Sequence, residues 1–172
     1  MLIQDSVALP RAKVLIHQER PYAYDEAKGI WLFKQVGEDE VAGNLILNAG
    51  RVQMHSQCYG TSGLLTNGFN YIALTADTGS PNAGDTSLAS ELTGSGLGRI
   101  QGSVTLASGS GNQTTISNTF TYTGGTSQSV AKTALFTAGY PSGVMNHEIL
   151  FGSARTLFTS DTLTLTFTIT LG

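Results

Sequence analysis

The sequence predicts a mainly β protein: an antiparallel β-sandwich, jelly-roll or immunoglobulin-like, with one helix and an N-terminal β-hairpin or extended arm. Three observations carry that prediction. At the C-terminus, Leu163, Leu165, Phe167, Ile169 and Leu171 alternate with Thr162, Thr164, Thr166, Thr168 and Thr170. Strict period two over a segment this long marks a half-buried antiparallel strand with a threonine-covered outer face. Upstream, short apolar segments recur between clusters of Gly, Pro, Asn and Ser, the cadence of a two-sheet β-domain. Finally, Gly supplies 21 of 172 residues and charged residues only 12%, about half the usual ~25%.

Charge divides the chain. Residues 1–60 carry 13 of the 21 charged residues and residues 61–172 carry the other 8. This shift predicts an arm or hairpin over 1–43 and a β-domain with one helix over 44–172.

In the arm, Val14-Leu15-Ile16 and Ile30-Trp31-Leu32-Phe33 are apolar runs flanking the polar stretch Tyr22 to Gly29. They read as a hairpin. Two strands alone are marginal in water, so the arm must pack on the main domain or on another subunit. Tyr22, Tyr24, Trp31 and Phe33 are the candidate interface residues, because aromatics concentrate at interface cores.

Glu38-Asp39-Glu40 reads as a solvated turn. The main helix is expected over Asn48–Tyr59, with Asn48 as N-cap and Gly60 as the stop. Tyr71–Thr75 reads as a strand, followed by a long loop from Ala76 to Gly84. Asp85–Leu92 has helical spacing and predicts one or two turns. Arg99–Leu106 reads as one strand with Ile100, Val104 and Leu106, and Ser108–Asn112 as a turn. Thr114–Thr123 alternates, with Ile116, Phe120 and Tyr122 on one face. Val130, Ala134 and Phe136 mark a further strand, and Val144–Phe151 another. The outward threonines Thr164, Thr166 and Thr168 form a polar face that can pack against a neighbour, so they join the candidate interface.

Chemistry is sparse. A net charge of −3 and a pI near 5.5 argue against a nucleic-acid partner. One cysteine excludes a disulfide framework and a multi-Cys zinc cage. No apolar run approaches the ~18–20 residues of a membrane span, and the N-terminus lacks the pattern of a signal peptide. His17, His55 and His147 show no metal-ligand spacing, and adjacent His147 and Glu148 would point to opposite faces of a strand. His55 and Cys58 share a helical face without an orienting partner. Asp77, Asp85, Glu91, Glu148 and Asp161 are the carboxylates available for hydrolysis or, for Asp77 and Asp85, calcium; no EF-hand pattern accompanies them. Gly94–Gly98 and Ser108–Asn112 are turns, not phosphate loops. A Glu91–Arg99 pair is expected to pin a loop. No catalytic residue, cofactor or metal is expected.

An ordered set of segments then suggests a family. It comprises Asn44-Leu45-Ile46-Leu47-Asn48-Ala49-Gly50, Asn70–Leu74, Pro81-Asn82-Ala83-Gly84-Asp85-Thr86-Ser87-Leu88-Ala89-Ser90-Glu91-Leu92, and Arg99. Ala134–Ala138, Gly143–His147 and Asp161–Ile169 complete it. Over about 44–172 this order resembles small virion structural proteins of tailed bacteriophages. The resemblance implies an oligomeric, non-enzymatic β-domain and supplies no catalytic residues to carry over. It implies other virion proteins as partners, either the major capsid protein or neck and tail proteins, and residence in the phage particle after synthesis in the host cytoplasm. Capsid decoration or cementing is the expected role. A neck, tail or fibre-attachment component and a carbohydrate-binding module stand as alternatives.

Overall fold

The computed structural model describes residues 11–26, 28, 30–42, 45–46, 68–105 and 113–170. Among them lie ten strands: β1 (Arg11–Asp25), β2 (Ile30–Ala42), β3 (Leu45–Ile46), β4 (Tyr71–Thr75), β5 (Ile100–Gln101), β6 (Ser103–Thr105), β7 (Gln113–Thr121), β8 (Gln128–Phe136), β9 (Met145–Leu157) and β10 (Thr162–Thr170). They form two antiparallel sheets packed as a sandwich, in the orders β2-β1-β10-β7-β6 and β3-β9-β8-β4-β5. The expected helix over Asn48–Tyr59, with His55 and Cys58, lies outside the described residues, as does the Ser108–Asn112 turn.

The period-two patterns decide which faces meet. Leu163, Leu165 and Phe167 of β10 point inward beside Val14 and Ile16 of β1 and Ile116 and Phe120 of β7. Opposite them lie Ile72, Leu74, Leu135 and Ile149 of the second sheet. Each fully buried aliphatic or aromatic side chain contributes about 1.5–3 kcal/mol. The expected arm therefore begins as a central strand. β1 pairs with β10 from Arg11↔Thr170 to Glu19↔Thr162, and with β2 on its other edge.

Three local readings are corrected. Asp85–Leu92 is not helical among the described residues; it forms turns over the outer face of the second sheet. The sheet edge captures its backbone. Leu92 N–H donates to Leu74 O at 2.8 Å, Thr75 Oγ1 donates to Ala89 O at 2.5 Å, and Thr75 bridges Glu91. Leu88 then seals a second small core with Ala73, Ala134, Phe136 and Met145.

Likewise, Arg99–Leu106 is not one strand. β5 pairs with β4 in the second sheet, and β6 pairs with β7 in the first. Gly102 makes the crossing, donating its N–H to Asn70 O at 2.7 Å. A Cβ there would sit 2.8 Å from Ile116 Cγ2 and 3.1 Å from Ser117 O. At so close an approach any added methyl would force its neighbours to shift.

The third correction concerns Glu38-Asp39-Glu40, which form no turn: they lie within β2, where pairing with His17, Ile16 and Leu15 of β1 holds them extended. Val130, Ala134 and Phe136 do share one strand, β8, but its register shifts between Val130 and Lys132, so Val130 enters the main core while Ala134 and Phe136 join the second one. A bulge turns the strand's faces over.

Candidate assembly surface

The outer face of the first sheet is built by register. With Leu163, Leu165 and Phe167 inward, Thr164, Thr166 and Thr168 must point outward. β7 sets Thr119, Ser117 and Thr115 against them in that order. β6 adds Ser103 against Ser117 and Thr105 against Thr115. The result is a three-strand field of hydroxyl side chains, with Thr119 Oγ1 and Thr164 Oγ1 hydrogen-bonded at 2.8 Å. Such cross-strand Thr pairs stabilise a sheet without apolar cover.

On the other side of β10, His17 of β1 faces Thr164 and Leu15 faces Thr166. His17 Nε2 lies 3.2 Å from Glu19 Oε1, and Nδ1 lies 3.5 Å from Glu38 Oε2. His17 is thus tied to its own sheet.

Among the described residues, β1 beyond Glu19 pairs with β2 alone. Six further residues at ~3.3 Å each project a two-stranded ribbon about 20 Å past the sheet. Counting along the register from outward Glu19, paired with Gln35, brings Phe33 and then the Tyr24↔Trp31 pair to the same face as the threonines. Tyr22 stands at the bulge between Pro21 and Ala23. Tyr22 and Trp31 are each 58% exposed, and Tyr24 and Phe33 are also exposed. The Tyr24 and Trp31 rings lie 5.2 Å apart, tilted by 59°, a favourable aromatic geometry. All seven candidate residues therefore fall on one sheet. Phe33, Tyr24 and Trp31 share a face with Thr164, Thr166 and Thr168, and Tyr22 lies beside them at the bulge.

The ribbon is anchored at its root. Arg20 donates from Nε at 3.1 Å and Nη2 at 3.0 Å to the buried Asp161 carboxylate. Its guanidinium also lies 4.5 Å from the centre of the Phe158 ring. Asp161 further accepts from Phe158 N–H at 3.0 Å and from Gln18 Nε2 at 3.4 Å. The hydrogen bond to Asp161 raises the Arg20 pKa above its ordinary value. Sequence reading missed this anchor, because nothing local links two residues so far apart in the chain.

The remaining candidate carboxylates are engaged on the second sheet. Glu91 receives Arg99 Nε at 2.8 Å and Nη2 at 2.5 Å, so the expected pair is present. Arg99 also donates to the Ala138 and Ser142 carbonyls and stacks 3.4 Å from the centre of the Phe136 ring. It thereby ties the 91–99 loop to the turn after β8. Beside it opens a cavity of about 420 Å³ whose lining includes Ser87, Ser90 and Tyr140.

Asp77 and Glu148 converge on Lys132, whose Nζ lies 2.7 Å from Asp77 Oδ2 and 2.8 Å from Glu148 Oε1. Lys132 was not singled out from sequence, although a lone lysine inside Val130–Phe136 is itself a signal. A charge in such an apolar strand requires buried partners. Among the described residues, no group of His, Cys, Asp and Glu side chains is arranged to hold a metal ion. His147 is buried, and neither of its ring nitrogens finds a partner among the described residues. Burial lowers its pKa to about 4.

Comparison with protein-family models, with curated proteins and with solved structures finds no match for this chain.

Proposed function

We propose that this protein is a non-enzymatic structural subunit of a tailed-phage particle, most specifically a capsid decoration or cement protein. It docks on neighbouring virion proteins through the outer face of its first sheet and through the hairpin tip. One observation carries the docking part of this reading. A single sheet presents a hydroxyl field and, continuous with it, a projecting ribbon whose aromatic side chains are left in water. A ribbon of two strands gains no core of its own, and clustered exposed aromatics mark interaction sites. Decoration of this kind would stabilise a lattice by mass action, because the subunit binds the assembled state preferentially. The phage assignment itself rests on the ordered segments over about 44–172. Homo-oligomerisation belongs to the same reading.

Mass spectrometry of purified particles of the encoding phage tests the proposal. The chain is expected as a stoichiometric component, and its absence from the particles overturns the reading. Labelling within the particle separates the capsid shell from the neck, tail or fibre-attachment position.

A carbohydrate-binding module is the second reading. It is favoured by the exposure of both Trp31 and Tyr140, the latter beside the hydroxyl-lined cavity. Glycan-array binding that is lost in Trp31→Ala or Tyr140→Ala would support it, and silence on the array would remove it.

A further inference from the structure

The most unusual chemistry in the molecule lies on the opposite sheet from the docking face and takes no part in the proposed function. Lys132 sits on β8, with its side chain only 3% exposed. Glu148 comes from the adjacent strand β9 and is 2% exposed. Asp77 follows β4, the strand on the other side of β8, and is partly open to solvent. The two carboxylates therefore approach one amine from opposite neighbours. Ala134 lies next on the same face of β8, with Ala73 across from it, and both pack in the small apolar core under Leu88.

We propose that Lys132 and Asp77 form an intramolecular amide (isopeptide) bond, with Glu148 as the proton-relaying catalytic residue. Nζ at 2.7 Å from Asp77 Oδ2 brings the carboxyl carbon to the edge of the roughly 3–3.5 Å separation of a near-attack pair. The loop holds the acceptor in place. Asp77 N–H donates to Thr75 Oγ1 at 3.0 Å, and Asp77 Oδ1 accepts from Gly79 N–H at 3.3 Å. Oδ2 remains the oxygen that faces the amine.

The step balances without a co-reactant. The Nζ–Cγ bond forms and the bond from Cγ to Oδ2 breaks. The ammonium begins with three protons and the amide nitrogen keeps one. The other two leave with Oδ2 as water. The ion pair and the product have the same net charge, so no charge is created in the apolar site. One ammonium proton first crosses the 2.7 Å contact to Asp77 Oδ2, which frees the amine lone pair and leaves a neutral carboxyl group to attack. Glu148 then gives its proton to the departing hydroxyl and recovers one from the nitrogen, which requires it to start as the neutral acid. Its surroundings favour that form. Burial raises the Glu148 pKa, the Asp85 carboxylate raises it further, and Lys132 opposes both. The neighbouring Asp85 carboxylate can accept a hydrogen bond from the protonated form of Glu148, which holds a proton on it. The partial exposure of Asp77 gives the departing water a way out.

A plain buried ion pair is the competing state, and intact mass separates the two. Purified full-length protein should weigh one water, about 18 Da, less than its sequence when measured denatured. Trypsin should then fail to cut after Lys132, and a branched peptide should join the segments bearing Asp77 and Lys132. Asp77→Ala and Glu148→Gln should both run at their full calculated masses while keeping the β-sheet circular dichroism of the parent. Asp77 is the more informative site, since its exposure makes the substitution easy to fold. Wild-type protein at its full calculated mass after prolonged incubation overturns the proposal. So does a dehydrated mass without the branched peptide, or the same branched peptide at undiminished yield in Glu148→Gln.

Discussion

Arg20 and Asp161 stand 141 residues apart in sequence, yet two guanidinium nitrogens reach one buried carboxylate at 3.1 and 3.0 Å. Arg20 is the first residue of β1 beyond its pairing with β10, and Asp161 directly precedes β10. The pair therefore closes the junction at which a ribbon leaves the sandwich. Removing the arginine leaves a buried carboxylate with fewer donors. Breaking a buried pair costs roughly 3–5 kcal/mol, and the partial exposure of Arg20 reduces this. Arg20→Ala should therefore destabilise by about 2–3 kcal/mol, read as a lower urea midpoint. Hydrogen exchange should quicken first across residues 20–34. An unchanged midpoint and unchanged exchange would show that the anchor is dispensable.

The hairpin divides into a structural base and a free tip. Val14 and Ile16 are fully buried in the main core, and β1 lies between β2 and β10. Deletion of residues 1–40 should abolish cooperative unfolding. Replacing residues 21–33 with a short turn should leave thermal unfolding cooperative while preventing docking on particles. A folded protein after the longer deletion would contradict the buried role of β1.

Much of this arrangement was legible in the sequence, and the limits are physical. The alternation over Thr162–Leu171 revealed β10 because its inward and outward residues differ in kind. The segment Tyr71–Thr75 was read with the bounds that β4 has. The Asp85–Leu92 spacing misled because a sheet edge, not a helix, satisfies its backbone. Gly102 carries no local sign of a sheet crossing, since a glycine between two polar residues reads equally as an ordinary strand position. The seven interface candidates were legible as exposed aromatics and outward threonines, but their common sheet depended on the pairing register. Lys132, Glu148 and Asp77 became a cluster only where β8, β9 and the loop after β4 meet.

Gly102→Ala tests that crossing. The new methyl meets Ile116 Cγ2 and the Ser117 carbonyl at the point where β5 passes into β6. Overpacking of this kind costs about 1–3 kcal/mol. The loss should appear in the denaturation midpoint, and a neutral result would show that the chain shifts there freely.

His147 gives the fold an acid-sensitive element. Its pKa is lowered from 6.5 to about 4 by burial. Between those values the unfolded chain takes up a proton that the folded chain excludes. The stabilising contribution is therefore complete above about pH 6.5 and is lost as the pH falls toward 4, amounting to roughly 3 kcal/mol. Wild type should lose stability more steeply than His147→Leu across this interval. Parallel pH profiles in urea titrations would contradict the assignment.

Thr166→Lys probes the hydroxyl field. Thr166 faces Ser117 on one side and Leu15 on the other, away from the core. The substitution should leave stability within about 0.5 kcal/mol, as for surface sites generally, while reducing incorporation into particles. Normal incorporation would remove the field from the interface and leave the ribbon alone to dock.

Trp31 is the only tryptophan in the chain and stands on the ribbon, 58% exposed. Its fluorescence therefore reports directly on the central claim, that this tip is covered on assembly. Acrylamide should quench it efficiently in the free protein and several-fold less in purified particles, with a blue-shifted emission. Equal quenching in the free and assembled states would contradict the account.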